Sequence, residues 1–108
     1  MSYFAVTRVA GPAWIDGGIA AQSAVGDHAA FMNRLAAEGF VLFAGTLAGT
    51  DHGRLRALVI VNGASDEEIR SRLADDPWTA SQHLRIESVE PWNIVVGAER
   101  LSEYTAAA

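Results

Sequence analysis

The 108-residue chain contains no cysteine. That excludes disulfides, thiolate nucleophiles and cysteine-ligated zinc or iron–sulfur centres, and it makes a reduced cytoplasmic setting the default expectation. Lysine is missing too. Every base is an arginine, scattered from Arg8 to Arg100, and 13 acids against 8 bases give a formal net charge of −5. With no basic stripe there is no electrostatic footprint for a nucleic-acid backbone or an anionic membrane, so neither is expected as a partner. Long apolar runs are also lacking. Phe40 to Gly45 and Leu58 to Val61 fall far short of the roughly 20 residues a helix needs to cross a bilayer. The opening Met-Ser-Tyr-Phe has no basic stretch leading into an apolar one, so no secretory signal is expected.

What is present is ample core material, with half of the residues hydrophobic. The length suits one domain. Residues 1–98 are expected to form it and 99–108 to make a C-terminal tail, its three final alanines frayed. Tyr3 to Val9 reads as a strand, rich in aromatic and β-branched residues. A long connection from Ala10 to about Ser23 follows, broken by Gly11, Pro12, Gly17 and Gly18 and carrying Trp14 and Ile15. Loops this long are uncommon and often functional. The pattern turns helical from about Asp27, a candidate N-cap, to Glu38, with Gly39 just past the end. Phe40–Leu47 and Leu55–Val61 read as a hairpin around the turn-forming residues 49–53. Ser65 to Glu68 has the spacing of a capping box opening a second helix. Asp76-Pro77 ends that helix or begins a short turn. Leu84 to Val96 reads as a last, long strand, and Pro91 inside it demands an edge position or a bulge.

The order strand–helix–strand–strand–helix–strand predicts an α+β, ferredoxin-like βαββαβ fold, a four-stranded antiparallel sheet with both helices on one face. Phe40-Val41-Leu42-Phe43, Leu58-Val59-Ile60-Val61 and Ile94-Val95-Val96 are apolar at successive positions, hence on both sheet faces. Helices cover only one, and a second copy of the chain related by a two-fold axis is the simplest cover for the other. The alternative is partial cover by the Trp14 loop and the C-terminal tail.

The residue that invites chemistry is His28. It shares the stripe of Phe31, Met32 and Leu35, so its ring points toward the sheet or its edge. A neutral imidazole in a pocket is a serviceable general base. Spacing alone favours the plainer reading, a core-edge histidine bonded to a backbone carbonyl. Asp76 could orient that ring by accepting a bond from it, with Asp75 able to take either part. Asp before Pro is also an ordinary helix N-cap. His52 falls in the hairpin turn and His83 opens the last strand with no evident partner. No ligand pair has metal spacing, and Gly45, Gly49 and Gly53 follow no dinucleotide or phosphate-loop pattern, so no metal or other cofactor is expected.

These pieces together resemble the YciI-like, or YCII-related, domain family, of the dimeric α–β barrel superfamily. The likeness spans about residues 3–96. Its carriers are His28, Ala36-Ala37-Glu38-Gly39, Phe43-Ala44-Gly45-Thr46-Leu47, Asp76-Pro77-Trp78 and Glu90-Pro91-Trp92. The resemblance implies a homodimer and a His–Asp pair beside the sheet, carried here by His28 and Asp76. A dehydrochlorinase of chlorinated hydroxyhydroquinones in this company implies that the scaffold can host proton transfer and elimination on small aromatic rings. Other dimeric α–β barrels imply a cofactor-free monooxygenase as a related alternative. The chain departs from the family pattern at Ser81-Gln82, where a glycine is common. It departs again at Ala24-Val25-Gly26, where a basic residue often precedes the histidine; its loss disfavours an anionic substrate.

The resulting expectation is a small enzyme acting on a small organic molecule, with His28 as general base or acid and Asp76 orienting it. Trp14, Phe43, Trp78 and Trp92 would be pocket walls and Arg8 a polar anchor. A non-catalytic ligand-binding module or a dimerisation scaffold are the rival expectations.

Overall fold

The computed structural model describes residues 2–47 and 54–101. Strand β1 (Ser2–Ala10) is followed by a long loop with a 3-10 turn at Ile19–Ala21, then helix α1 (Val25–Ala37) and the strands β2 (Val41–Thr46) and β3 (Arg56–Gly63). Helices α2 (Asp66–Leu73) and α3 (Pro77–Ala80) lead into strand β4 (Leu84–Pro91). The sheet order is β2-β3-β1-β4 with every neighbouring pair antiparallel, which is the ferredoxin-like arrangement of two interlocked βαβ units.

Alternation along β1 sorts the faces. Phe4, Val6 and Arg8 are buried, and across the ladder they stand opposite Val61, Val59 and Ala57 of β3. Phe31 and Leu35 of α1 and Ile69 and Leu73 of α2 close over this face to form the main core. Burying each such side chain is worth about 1.5–3 kcal/mol. A second, smaller cluster of Ala10, Trp14, Leu55, Trp78 and Leu84 sits at the other end of the sheet, under the long loop.

That loop is tied down. Gly11 N–H donates to the His83 carbonyl at 2.8 Å, and Ala13 N–H to that of Gln82 at 3.0 Å. Gln22 is buried and staples the loop to itself. Its amide nitrogen donates to the Ile15 and Gly18 carbonyls and its amide oxygen accepts from Ile15 N–H.

Two expectations are corrected. Helix α1 begins at Val25, with Ala24 in the left-handed region (φ 58°) as its N-cap, so Asp27 lies inside the helix and caps nothing with its side chain. Strand β4 stops at Pro91, and Ile94-Val95-Val96 lie outside the sheet, with Val95 and Val96 exposed. Pro91 accordingly ends an edge strand. The segment after Asp76 is a short helix, α3, with Asp76 as N-cap and Pro77 in its first turn, as one of the two readings of Asp76-Pro77 expected. The other starts hold: Ser65 Oγ accepts the Glu68 N–H at 3.1 Å, and Gly39 takes φ 81° after α1. The hairpin turn with His52 and the tail from residue 102 lie outside the described residues. No helix among the described residues is long and apolar enough to cross a membrane.

Candidate functional site

Asp76 anchors the site because of its place in the chain. Pro77 occupies the first helical position of α3, and Asp76, extended before it (φ −62°, ψ 128°), caps the helix by accepting the Trp78 N–H on Oδ1 at 2.9 Å. A carboxylate has capacity beyond one bond. Asp76 uses it on two further donors: Arg8 Nη1 at 2.8 Å from Oδ2, and His28 Nδ1 at 2.8 Å from Oδ2 and 3.0 Å from Oδ1. The N-cap reading and the histidine-partner reading of Asp76 are therefore both true of one side chain.

Burial pushes the Asp76 carboxyl upward. The bond from His28, the Trp78 N–H and the Arg8 guanidinium outweigh it and hold the group below its ordinary value. The ionised carboxylate only accepts, so His28 Nδ1 must carry a proton, and in the neutral ring Nε2 keeps its lone pair. No hydrogen bond engages Nε2 among the described residues. The ring lies flat on Trp78, centroids 4.1 Å apart and planes within 9°. Trp78 is itself fixed, its Nε1 donating to the Ser23 carbonyl at 2.7 Å. His28 is thus held on one nitrogen and one face, and its side chain is 18% exposed.

His28, Arg8, Trp78, Met32, Leu55 and Val59 are among the residues around a cavity of about 190 Å³ that opens along β2. The walls are almost entirely apolar. Among the described residues no group of three or more His, Asp or Glu side chains is arranged to hold a metal.

The sequence-derived candidates do not all meet here. Trp78 lines the cavity. Trp14 is buried edge-on to Trp78, at 5.6 Å and 84°, and supports that wall from behind. Phe43 pairs with Ile60 across β2–β3 and lines a neighbouring groove, not this cavity. Trp92 lies on the opposite sheet face beside Ala5, Leu58 and Ile60, because alternation carries on past Pro91: its N–H bonds the Tyr3 carbonyl, and like Glu90 it points away from the helices. Arg8 lines the cavity with its guanidinium already engaged. Its Nη1 is bound to Asp76, its Nη2 to Thr79 Oγ1 at 2.8 Å, and its Nε is buried. His83 meets Ser81 Oγ at 2.7 Å on the far side of Trp78. Asp75 makes no contact with His28.

Sequence reasoning missed Arg8 as the Asp76 partner and Thr79 as its support. The available signal was the alternation Phe4, Val6, Arg8: a guanidinium on the core face of a strand requires a buried anion.

The YCII-related domain model matches residues 4–93. The chain belongs to the YCII-related domain family. That span contains the His28–Asp76 pair, Arg8 and every wall of the cavity. No curated protein matches the chain significantly. The YCII-related fold thus places a histidine, an ionised aspartate and an arginine in one bonded chain beside an apolar cavity, an assembly suited to taking and returning one proton.

Proposed function

We propose that this YCII-related domain is an enzyme that moves a proton on a small, uncharged organic molecule, with ring compounds as the favoured substrates. The observation that carries the reading is the His28–Asp76 bond at the cavity, with Nδ1 committed and Nε2 open. His28 Nε2 takes a proton from a C–H or O–H of the substrate. The imidazolium that forms donates from Nδ1 to Asp76 in a charge-assisted bond. Arg8 keeps Asp76 ionised throughout and tempers how strongly the carboxylate holds the new charge. In an isomerisation the proton returns to a different substrate atom. In an elimination the C–H electron pair becomes the new π bond while the leaving group departs with its own bonding pair. Arg8 is the one arginine lining the cavity, no carboxylate lines it, and Asp76 neutralises Arg8, so the site favours neutral molecules.

The contact and the cavity weigh against a bare scaffold, which needs neither. The test is solvent deuterium exchange, followed by NMR, on a panel of neutral cyclic ketones and phenols. A wild-type-catalysed exchange that falls 10²–10⁴-fold in His28→Gln, the usual span for one general base, supports the reading. Exchange unchanged in His28→Gln overturns it.

We further propose that the domain works as a homodimer through the open sheet face. There Ala5, Leu58, Ile60 and Trp92 surround a depression of about 370 Å³, and Trp92 and Phe43 are exposed. Covering such a face contributes about 25 cal/mol per Å² of apolar area. A cysteine-free chain of this kind suits the reducing cytoplasm.

A further inference from the structure

The cavity at His28 does not end at the histidine. A second concavity of about 410 Å³ runs between α1 and the edge strand β2, and the two share Ile19, His28, Met32 and Ala44. Beyond that common neck the outer groove continues along α1 past Val25, Ala29 and Ala36, with Val41 as part of its floor. Asn33 is its one polar residue apart from His28, and no charged residue lines it. Met32, half-buried, is one of the neck residues; its flexible, unbranched thioether accepts a long contact from Arg8 Nη1 at 3.9 Å, and that nitrogen keeps Asp76 as its main partner if the side chain shifts.

We propose that the substrate of this site is a two-part, uncharged molecule: a compact head in the inner cavity, an apolar arm in the α1–β2 groove, and the proton-bearing atom at the neck beside His28. This deepens the proton-transfer reading above and rests on it. The size of the inner cavity sets the head. A cavity of about 150 Å³ lined by aliphatic and aromatic side chains accepts benzene, and the inner lobe here is about 190 Å³. The arm is aliphatic because the groove walls offer it hydrocarbon and a single amide. The neck fixes the reacting position, since His28 is the titratable residue that both lobes touch.

The probes are the 1-phenylalkanols, from benzyl alcohol to 1-phenylheptan-1-ol. Each has a phenyl head, a hydroxyl at the neck able to donate to Nε2, and an arm of increasing length. Binding is read from Trp78 fluorescence, because Trp78 lines the inner lobe. In wild type the affinity should rise with each methylene, up to about fourfold per step, which is ~0.8 kcal/mol of buried CH2 at 1.4 kcal/mol per decade. Ala36→Phe fills the outer groove from an exposed helical position and should abolish the length dependence while leaving benzyl alcohol binding unchanged. Affinity that does not change with arm length while benzyl alcohol binds overturns the two-part ligand and leaves the His28 reading standing. A length dependence that survives Ala36→Phe also overturns it, because the arm then lies elsewhere. No binding of any member overturns it together with the inner cavity as a ligand site.

Discussion

Replacing Asp76 by Asn isolates the charge from everything else the residue does. The amide keeps an oxygen for the Trp78 N–H, and Asn is as good an N-cap as Asp, so α3 stays capped. What is lost is the anion between Arg8 and His28. The Arg8 side chain is 2% exposed and that of Asp76 is 0%, so water cannot replace the missing partner. Removing one member of such a buried pair costs about 3–5 kcal/mol, a large part of the ~5–15 kcal/mol that holds a domain of this size together. With a urea m-value of about 1.5 kcal/mol per M, the midpoint at pH 7 should fall by roughly 2–3 M with m unchanged. Adding Arg8→Met to Asp76→Asn should regain a substantial part of the loss, because the double variant leaves no orphaned charge. The dependence on pH follows from the direction of the shift. The folded carboxyl lies below its ordinary value, so its contribution is complete above the unfolded value of about 3.9 and disappears as pH falls through the lower folded value. Wild type should therefore lose its advantage over the Asn variant progressively below about pH 5. A deficit under ~1 kcal/mol at pH 7, or one that does not shrink in acid, refutes the reasoning.

Two further substitutions probe the frame around the site. A Cβ on Gly11 would stand 2.2 Å from the Gln82 carbonyl oxygen, a backbone atom that cannot swing aside. Gly11→Ala should cost about 2–3 kcal/mol, seen as a Tm roughly 10–20 °C lower, and an unchanged Tm means the loop and the α3–β4 turn are not in contact. Trp92→Glu places a charge on the open sheet face; sedimentation velocity at micromolar concentration should show a wild-type dimer and a monomeric variant, and a monomeric wild type ends the dimer proposal.

The sheet was legible because its pattern is local: β-branched and aromatic runs, a capping box at Ser65, and Pro91 marking an edge all act over a few residues. The start of α1 was not, because Ala24 adopts a left-handed conformation that nothing in its side chain requests. His28 and Asp76 were visible as types at helix starts, and their approach from 48 residues apart needed the fold to bring α1 and α3 to one face. The role of Arg8 was hidden for the same reason. The reading of Arg8 as a polar anchor for substrate passed over its alternation with Phe4 and Val6, which puts the guanidinium on the buried face of the strand. Trp92 misled because its face follows from the register: Pro91 stands opposite Phe4 on the core face, and alternation turns Trp92, with Glu90, to the open one.

At the centre of the account is the proton on His28 Nδ1, held by an ionised Asp76. Nitrogen-15 NMR of the imidazole at about pH 9, above the ordinary imidazole range of ~6.5, reads it directly. Nδ1 should show the protonated, pyrrole-type signal and Nε2 the unprotonated, pyridine-type one, with the pattern lost in Asp76→Asn. A ring carrying its proton on Nε2 in the wild-type protein contradicts the account, because the nitrogen offered to the substrate would then have no lone pair to give.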